Sequence, residues 1–238
     1  MDVMSHITGQ PVRSVLDVGC NVGALLCHLK SFFPDACLTG VEINERALSV
    51  AKQRIPSADL RLSGAECLPF QDNSFCFVTC VEVLEHLPAE LRSAAFREFN
   101  RVLVPGGKLI LTVPHAGCFQ WMDSNNLRHR FPWLYSRLVG QGKRDAGYKQ
   151  LQRKVEWHQH FTLSELQSLI GPGWKDLQVQ YGGLFLQPLM DTLSWPFYRF
   201  GKAEHPLRRM FERISGWDAS HNYGKASYQI LMVLHRQN

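Results

Sequence analysis

The stretch Val15-Leu16-Asp17-Val18-Gly19-Cys20-Asn21-Val22-Gly23 decides the fold of this chain. Its first residues are apolar and partly β-branched, which predicts a strand buried on both faces, as in a parallel sheet. Gly19 and Gly23 predict a tight turn, because glycine adopts positive φ and lets a ligand approach the backbone closely. Residues 24–33 carry apolar side chains at helical spacing, and Pro34 ends that pattern. A strand, a glycine turn and a helix in this order predict an α/β domain with a ligand at the turn.

An acidic residue closes the next predicted strand. Glu42 lies nineteen residues after Gly23 and follows the apolar run 37–41. A carboxylate at this place can accept hydrogen bonds from both hydroxyls of a ribose. The two motifs together therefore predict a nucleoside-binding crevice. Asp17, inside the first strand, departs from the usual dinucleotide-binding pattern.

At these residues the chain resembles the class I S-adenosylmethionine-dependent methyltransferases, whose first motif has the form of Val15 to Gly23. The resemblance implies that S-adenosyl-L-methionine is the cofactor and S-adenosyl-L-homocysteine the product. It also implies that Asp17 and the glycine turn surround the methionine moiety while Glu42 holds the ribose. The cofactor-binding residues expected from it are Asp17, Gly19, Cys20, Gly23, Glu42, Ile43, Ala65, Glu66, Val81 and Glu82. Another Rossmann-like nucleotide binder is the alternative.

The adenine-binding segment departs from the family. Relatives have an acid before the alanine, which would bond the exocyclic amine of adenine, whereas this chain has Gly64. We therefore expect the backbone of Ala65 and the side chain of Glu66 to serve the adenine.

Composition limits the remaining classes. A chain of 238 residues, 45% hydrophobic and 20% charged, is ordinary for one globular domain. We find no secretion signal in residues 1–13 and no apolar run of about eighteen residues, the length of a membrane span. Seven cysteines without a C-x-x-C pair predict reduced thiols rather than disulfides or a thiolate metal site. The expected location is cytoplasmic.

The expected fold is α/β: a Rossmann-like, doubly wound sheet of seven strands. The resemblance implies the strand order 3-2-1-4-5-7-6, with the last strand antiparallel. We expect residues 1–238 to form a single methyltransferase domain. Its cofactor-binding core would be residues 13–115, 161–183 and 226–236, with helical cap insertions after strands 5 and 6 at residues 116–160 and 184–225.

The net charge of +5 is concentrated in one segment. Residues 116–160 hold eight basic residues against three acidic ones, and 8 − 3 is itself +5. The basic residues are Arg128, Arg130, Arg137, Lys143, Arg144, Lys149, Arg153 and Lys154. The segment is interpreted as a surface over an anionic acceptor, as a nucleic-acid track with interleaved aromatic residues, or as a solvated face.

Glu82, Glu85 and His86 have the spacing i, i+3, i+4, which on a helical turn puts their side chains on one face. Such a set could hold Mg²⁺ or Mn²⁺ together with His115, His158 or His160. The spacing is similar to the metal-binding motif of small-RNA 2′-O-methyltransferases and to one in ubiquinone-pathway O-methyltransferases. A metal-free site is favoured, so no metal ligand is assigned, and the catalytic candidates are His86, His115 and His158.

Together these features predict methyl transfer to a small-molecule or lipid-linked acceptor at oxygen, and an anionic acceptor would suit the basic segment. Aromatic residues in 184–224 would line the acceptor pocket or form a satellite core. One alternative is a metal-dependent enzyme similar to the RNA 2′-O-methyltransferases. The other is an inactive binding module with a methyltransferase-like fold. Nucleic acid is the less favoured partner, because the basic segment lacks a dense Lys/Arg run.

Overall fold

A computed structural model describes residues 12–123, 126, 133, 158–199 and 205–237. Seven strands form one sheet: β1 Ser14–Val18, β2 Cys37–Glu42, β3 Asp59–Leu62, β4 Phe75–Val81, β5 Leu103–Pro114, β6 Trp174–Gly182 and β7 Gln229–Arg236. Within the described residues, six helices accompany them: α1 Ala24–Phe32, α2 Glu45–Arg54, α3 Ala89–Val102, α4 Leu163–Ile170, α5 Leu186–Arg199 and α6 Pro206–Ala219. Single 3-10 turns lie at Leu84–His86, Gln120–Met122 and Gly224–Ala226.

The strand order is β3-β2-β1-β4-β5-β7-β6, which confirms the predicted topology. Strands β1 to β5 pair in parallel, and β7 runs antiparallel to both β5 and β6. The carboxyl ends of β1, β2 and β4 therefore meet at one edge, where open α/β sheets bind ligands.

Two apolar layers cover the sheet because side chains alternate along each strand. Along β1, Val15 packs in the layer that contains Leu26 of α1, whereas Leu16 packs in the layer that contains Phe96 and Phe99 of α3. All five side chains are at most 1% exposed. The sheet is thus doubly wound, as predicted.

Local signals in the sequence place several helix ends. The Asn44 side chain accepts hydrogen bonds from the backbone of Arg46 and Ala47 and begins α2. Thr162 and Glu165 form the predicted capping box at the start of α4. α1 begins directly after Gly23, whose φ is +77°.

One local prediction is wrong. Glu82, Glu85 and His86 do not share a helical face, because Glu82 has φ +54° and only residues 84–86 form a 3-10 turn. β5 begins at Leu103, so that Pro105, Gly106 and Gly107 lie inside the strand.

The second insertion forms the predicted helices, α5 and α6. Most of the first insertion, with its eight basic residues, lies outside the described residues. Within the described ranges, no helix combines the length and the apolar character needed to cross a membrane.

Candidate active site

The glycine turn after β1 is tied to the neighbouring strand. The N–H groups of Gly19 and Cys20 both donate to the Val41 carbonyl, at 2.8 and 3.0 Å. Gly19 has φ +75°, and a Cβ at this position would lie 2.3 Å from Val83 Cγ2. Only glycine fits this turn, which leaves its backbone open to a ligand at the carboxyl edge of the sheet.

Glu42 is held at the same edge by two backbone amides. Its Oε2 accepts from the N–H of Asn21 at 2.9 Å, and its Oε1 accepts from the N–H of Asn44 at 2.8 Å. Each carboxylate oxygen keeps a second lone pair for another donor. The orientation therefore fits the two hydroxyls of a ribose.

Asp17 lies beneath the turn and is only 3% exposed. Its Oδ1 accepts from Thr79 Oγ1 at 2.8 Å. Burial raises the pKa of Asp17 to about 7, the Thr79 hydrogen bond opposes this rise, and the charge of Glu42 adds to it. Burial also raises the pKa of Cys20 to about 12, so that its thiol stays protonated.

The predicted adenine segment places Glu66 beside Gly64. Glu66 Oε2 lies 2.5 Å from where a Cβ of residue 64 would be, so that glycine leaves room for this carboxylate. Ala65 is buried next to it. Ile43 and Val81, the remaining residues expected at the cofactor, are half-buried at the ends of β2 and β4.

Glu82 directly follows β4 and is hydrogen-bonded to side chains of β5 and β7. Its Oε1 accepts from Thr112 Oγ1 at 3.0 Å and from Gln229 Nε2 at 2.7 Å. Burial raises the pKa of Glu82 to about 8, and the charge of Glu85 adds to this rise. Gln187 at the start of α5 donates in turn to Gln229 Oε1 at 3.4 Å, so that the second insertion reaches this site.

A buried group of histidines and carboxylates lies beside Glu82. Asp123 Oδ2 accepts from His158 Nδ1 at 2.5 Å and from His160 Nε2 at 3.0 Å. His160 Nδ1 donates to the His115 carbonyl at 2.9 Å. We call Glu85, His86, Asp123, His158 and His160 the histidine cluster.

Glu85 is the unusual member of the histidine cluster. It is 1% exposed, and among the described residues neither of its oxygens has a hydrogen-bond partner. His158 Nε2 lies 3.6 Å and His86 Nε2 4.0 Å from its Oε1. Burial lowers the pKa of His158, but Asp123 and Glu85 outweigh that effect and raise the pKa to about 10. His158 is thus a cation between two carboxylates, hydrogen-bonded to Asp123 and farther from Glu85.

The three predicted catalytic histidines are not equivalent. The His86 ring lies 4.7 Å from the His158 ring, tilted by 55°, and the His86 side chain is 44% exposed. His115 is buried, donates from Nδ1 to the Ser227 carbonyl at 2.8 Å, and has a pKa lowered by burial. The structure therefore brings His86 and His158 together, while the His115 ring faces Ser227 and Tyr181.

Sequence reasoning did not single out Asp123, Gln229, Thr79 or Thr112. Asp123 entered only as a charge in the basic segment, and no motif marks it. Two groups of the described residues bring possible ligand atoms within 4.8 Å of one another: Glu85 with His86 and His158, and Asp123 with His158 and His160. Glu82, expected in the first group, is absent from both.

Comparisons with known proteins agree with this fold. Residues 16–111 match the methyltransferase domain family. A demethylmenaquinone methyltransferase from Staphylococcus aureus strain JH9 is 32% identical over 160 residues, 64% of this chain and 64% of the relative. The chain thus spans about 64% of the length of the curated relatives it matches first.

Solved structures share the fold at low identity. An S-adenosylmethionine-dependent methyltransferase from Methanosarcina mazei superposes with a TM-score of 0.59 at 19% identity, covering 100% of this chain and 98% of that chain. Phosphoethanolamine N-methyltransferase 2 from Haemonchus contortus, in complex with S-adenosyl-L-methionine, gives 0.60 at 16% identity, covering 99% of this chain and 51% of that one. In its sheet topology, and over residues 16–111 that match the methyltransferase domain, this chain is similar to the class I S-adenosylmethionine-dependent methyltransferases.

Proposed function

We propose that this protein transfers a methyl group from S-adenosyl-L-methionine to an oxygen of a small or lipid-linked acceptor. The observation that carries the proposal is the Glu42 carboxylate, fixed by two backbone amides beside a turn that only glycine can form. A small acceptor is supported by the relative at 32% identity, whose name refers to demethylmenaquinone.

The residues of the crevice fit each part of the cofactor. Glu42 would bind the ribose and Asp17 the cationic methionine end, while Ala65 and Glu66 would bind the adenine. When bound, the cofactor supplies an electrophilic methyl group on a sulfonium. The task left to the chain is to orient the acceptor and to accept its proton.

Glu85 is the group best placed to accept that proton. It is buried, has no hydrogen-bond partner among the described residues, and faces His158 across 3.6 Å. An acceptor hydroxyl that reaches this pair would donate to Glu85, while the His158 cation, oriented by Asp123, would stabilise the oxygen as its proton leaves. His86 would close the exposed side.

A transfer assay with labelled cofactor tests the proposal across phenols, quinols, sugars and RNA. We expect transfer to a small acceptor, and we expect Glu85→Gln to lower the rate by about 10²–10⁴-fold, the usual contribution of a general base. Affinity for S-adenosylhomocysteine should be retained in that variant. Glu90→Gln, at an exposed position in the first turn of α3, is the matched control.

A metal-dependent enzyme acting on RNA is the second candidate. It is favoured by Glu85, His86 and His158, whose ligand atoms lie within 4.8 Å of one another. On that reading, chelator abolishes transfer, Mg²⁺ or Mn²⁺ restores it, and His86→Ala loses metal and activity together. Chelator-resistant transfer by a preparation shown metal-free by elemental analysis is the outcome we expect, and it would eliminate this candidate.

Two wider features belong to the proposal. All seven cysteines are free thiols, which supports a reducing compartment and hence a cytoplasmic location. We also propose that the chain is one domain, because β6 and β7 from its last third complete the same sheet as β1. A protein that binds the cofactor and methylates nothing in the transfer assay would instead be a binding module.

A further inference from the structure

The helices of the second insertion form an antiparallel pair, Leu186–Arg199 and Pro206–Ala219, which we call the α5–α6 hairpin. Ser215 Oγ donates to Asp191 Oδ1 at 2.9 Å, and the rings of Phe197 and Phe211 lie 6.1 Å apart. These contacts occupy the inner side of α6, where Asp218 and Ala219 are also buried. The remaining faces of α6 are exposed.

Three of the exposed positions on α6 carry large apolar side chains. Leu207, Met210 and Trp217 are 48%, 46% and 56% exposed. Their spacing of three and seven residues places them on one face of α6. Isolated exposed apolar residues are common, but three on one helical face form a stripe.

Arginine residues flank this stripe. Arg209 and Arg213 are exposed on α6, and Glu212 is the exposed acid near them. A helix with Trp, Leu and Met on one face and arginines alongside is typical of helices that lie in the headgroup region of a bilayer. The cations complement anionic lipids, whereas an apolar protein partner would not require them.

The start of α5 and the end of α6 form the base of the hairpin, and hydrogen bonds connect this base to the candidate active site. Asp218 Oδ2 accepts from the N–H groups of Leu184 and Gln187, both at 2.8 Å, and Gln187 bonds Gln229, the partner of Glu82. Phe185, 40% exposed at the start of α5, lies 5.3 Å from the ring of Phe119. A pair of aromatic rings thus lies beside the chain of hydrogen bonds that leads to Glu82.

We propose that the α5–α6 hairpin docks on an anionic lipid bilayer, with Leu207, Met210 and Trp217 inserted among the headgroups. Docking would place the base of the hairpin near the membrane. A lipid-linked acceptor could then reach the site without leaving the bilayer, a consequence that rests on the proposed function.

Co-sedimentation with lipid vesicles tests the docking without any catalysis. The full chain should sediment with phosphatidylcholine vesicles that contain about 30% of the anionic lipid phosphatidylserine. It should sediment less with vesicles of pure phosphatidylcholine. The triple variant Leu207→Ser, Met210→Ser, Trp217→Ser should bind at least about tenfold more weakly, because its apolar insertion is lost. Increasing salt should weaken binding by the wild type.

The matched control removes three exposed apolar side chains from the other end of the sheet: Phe32→Ser, Val50→Ser and Leu62→Ser, at positions 62%, 42% and 45% exposed. It should bind vesicles like the wild type. Circular dichroism and S-adenosylhomocysteine affinity establish that each variant is folded. No sedimentation of the wild type, equal binding by both triple variants, or equal binding to both vesicle types would overturn the proposal. Failure of cofactor binding alone would overturn the proposed function and leave the docking result standing.

Discussion

At the scale of single residues, Glu42 makes the most direct connection between sequence and cofactor. Hydrogen bonds to a charged group contribute about 1.5–3 kcal/mol each, so Glu42→Ala should weaken S-adenosylmethionine binding at least tenfold. Isothermal calorimetry measures this loss. Glu45→Ala, three residues later at an exposed position, should change nothing. Unchanged affinity in Glu42→Ala would remove the ribose assignment.

Asp17 predicts how stability depends on pH. Its pKa is about 7 in the folded protein and about 3.8 when unfolded, so the folded state holds the proton more tightly. Asp17 therefore costs stability as pH rises from about 4 to 7, because the unfolded chain releases a proton that the folded protein still holds. Urea unfolding should show wild type losing stability relative to Asp17→Asn across that window. Saturating S-adenosylhomocysteine, whose amino group is expected beside Asp17, should reduce this difference in stability between the two proteins. Parallel pH profiles for wild type and variant would contradict the raised pKa of Asp17.

Glu66 offers a test of adenine recognition. The space above Gly64 is filled by the Glu66 carboxylate, which could accept from the exocyclic amine that the family serves with a different residue. Glu66→Ala should weaken S-adenosylhomocysteine binding several-fold, because a charged hydrogen bond is lost. An analogue without the amine should bind wild type and variant equally. A similar loss for both ligands would instead indicate a general disturbance of the segment.

At the scale of elements, Asp123 connects the insertion after β5 to the segment that precedes α4. The folded pKa of His158 is about 10, against about 6.5 when unfolded, so its stabilising contribution is complete below 6.5 and lost as pH rises through 10. Asp123→Asn should lower that pKa, as followed by NMR of the His158 ring, and should flatten the fall in stability between pH 7 and 10. Cofactor affinity should be unchanged, since the contacts of Glu42 are untouched. An unaltered His158 titration would show that Asp123 does not hold its charge.

At the scale of the whole molecule, one continuous sheet predicts one cooperative unfolding transition. A ligand that binds only the folded state at 100 times its Kd adds about 2.7 kcal/mol. S-adenosylhomocysteine at that excess should move the whole transition by this amount, and a nicotinamide dinucleotide should not move it. Two separate transitions would contradict the single domain.

The elements that depend on near neighbours could be predicted from the sequence. The glycine turn, the Asn44 cap and the Thr162–Glu165 capping box each require a residue type whose backbone or side chain acts within about three positions. The buried strands were likewise visible as apolar runs. The order of the strands came from resemblance, because pairing partners such as Leu111 and Met232 carry no local signal for each other.

The acceptor side of the site was decided by tertiary structure. A left-handed backbone at Glu82 breaks the helical spacing that the sequence indicated and turns its carboxylate toward Thr112 and Gln229. Asp123 meets His158 across 35 residues, and a single sequence has no periodicity that reports such a contact. The pKa values of these groups depend on burial, which exists only after the chain has packed. The sequence by itself therefore determined the glycine turn and Glu42, whereas the tertiary structure determined the charged groups beside them.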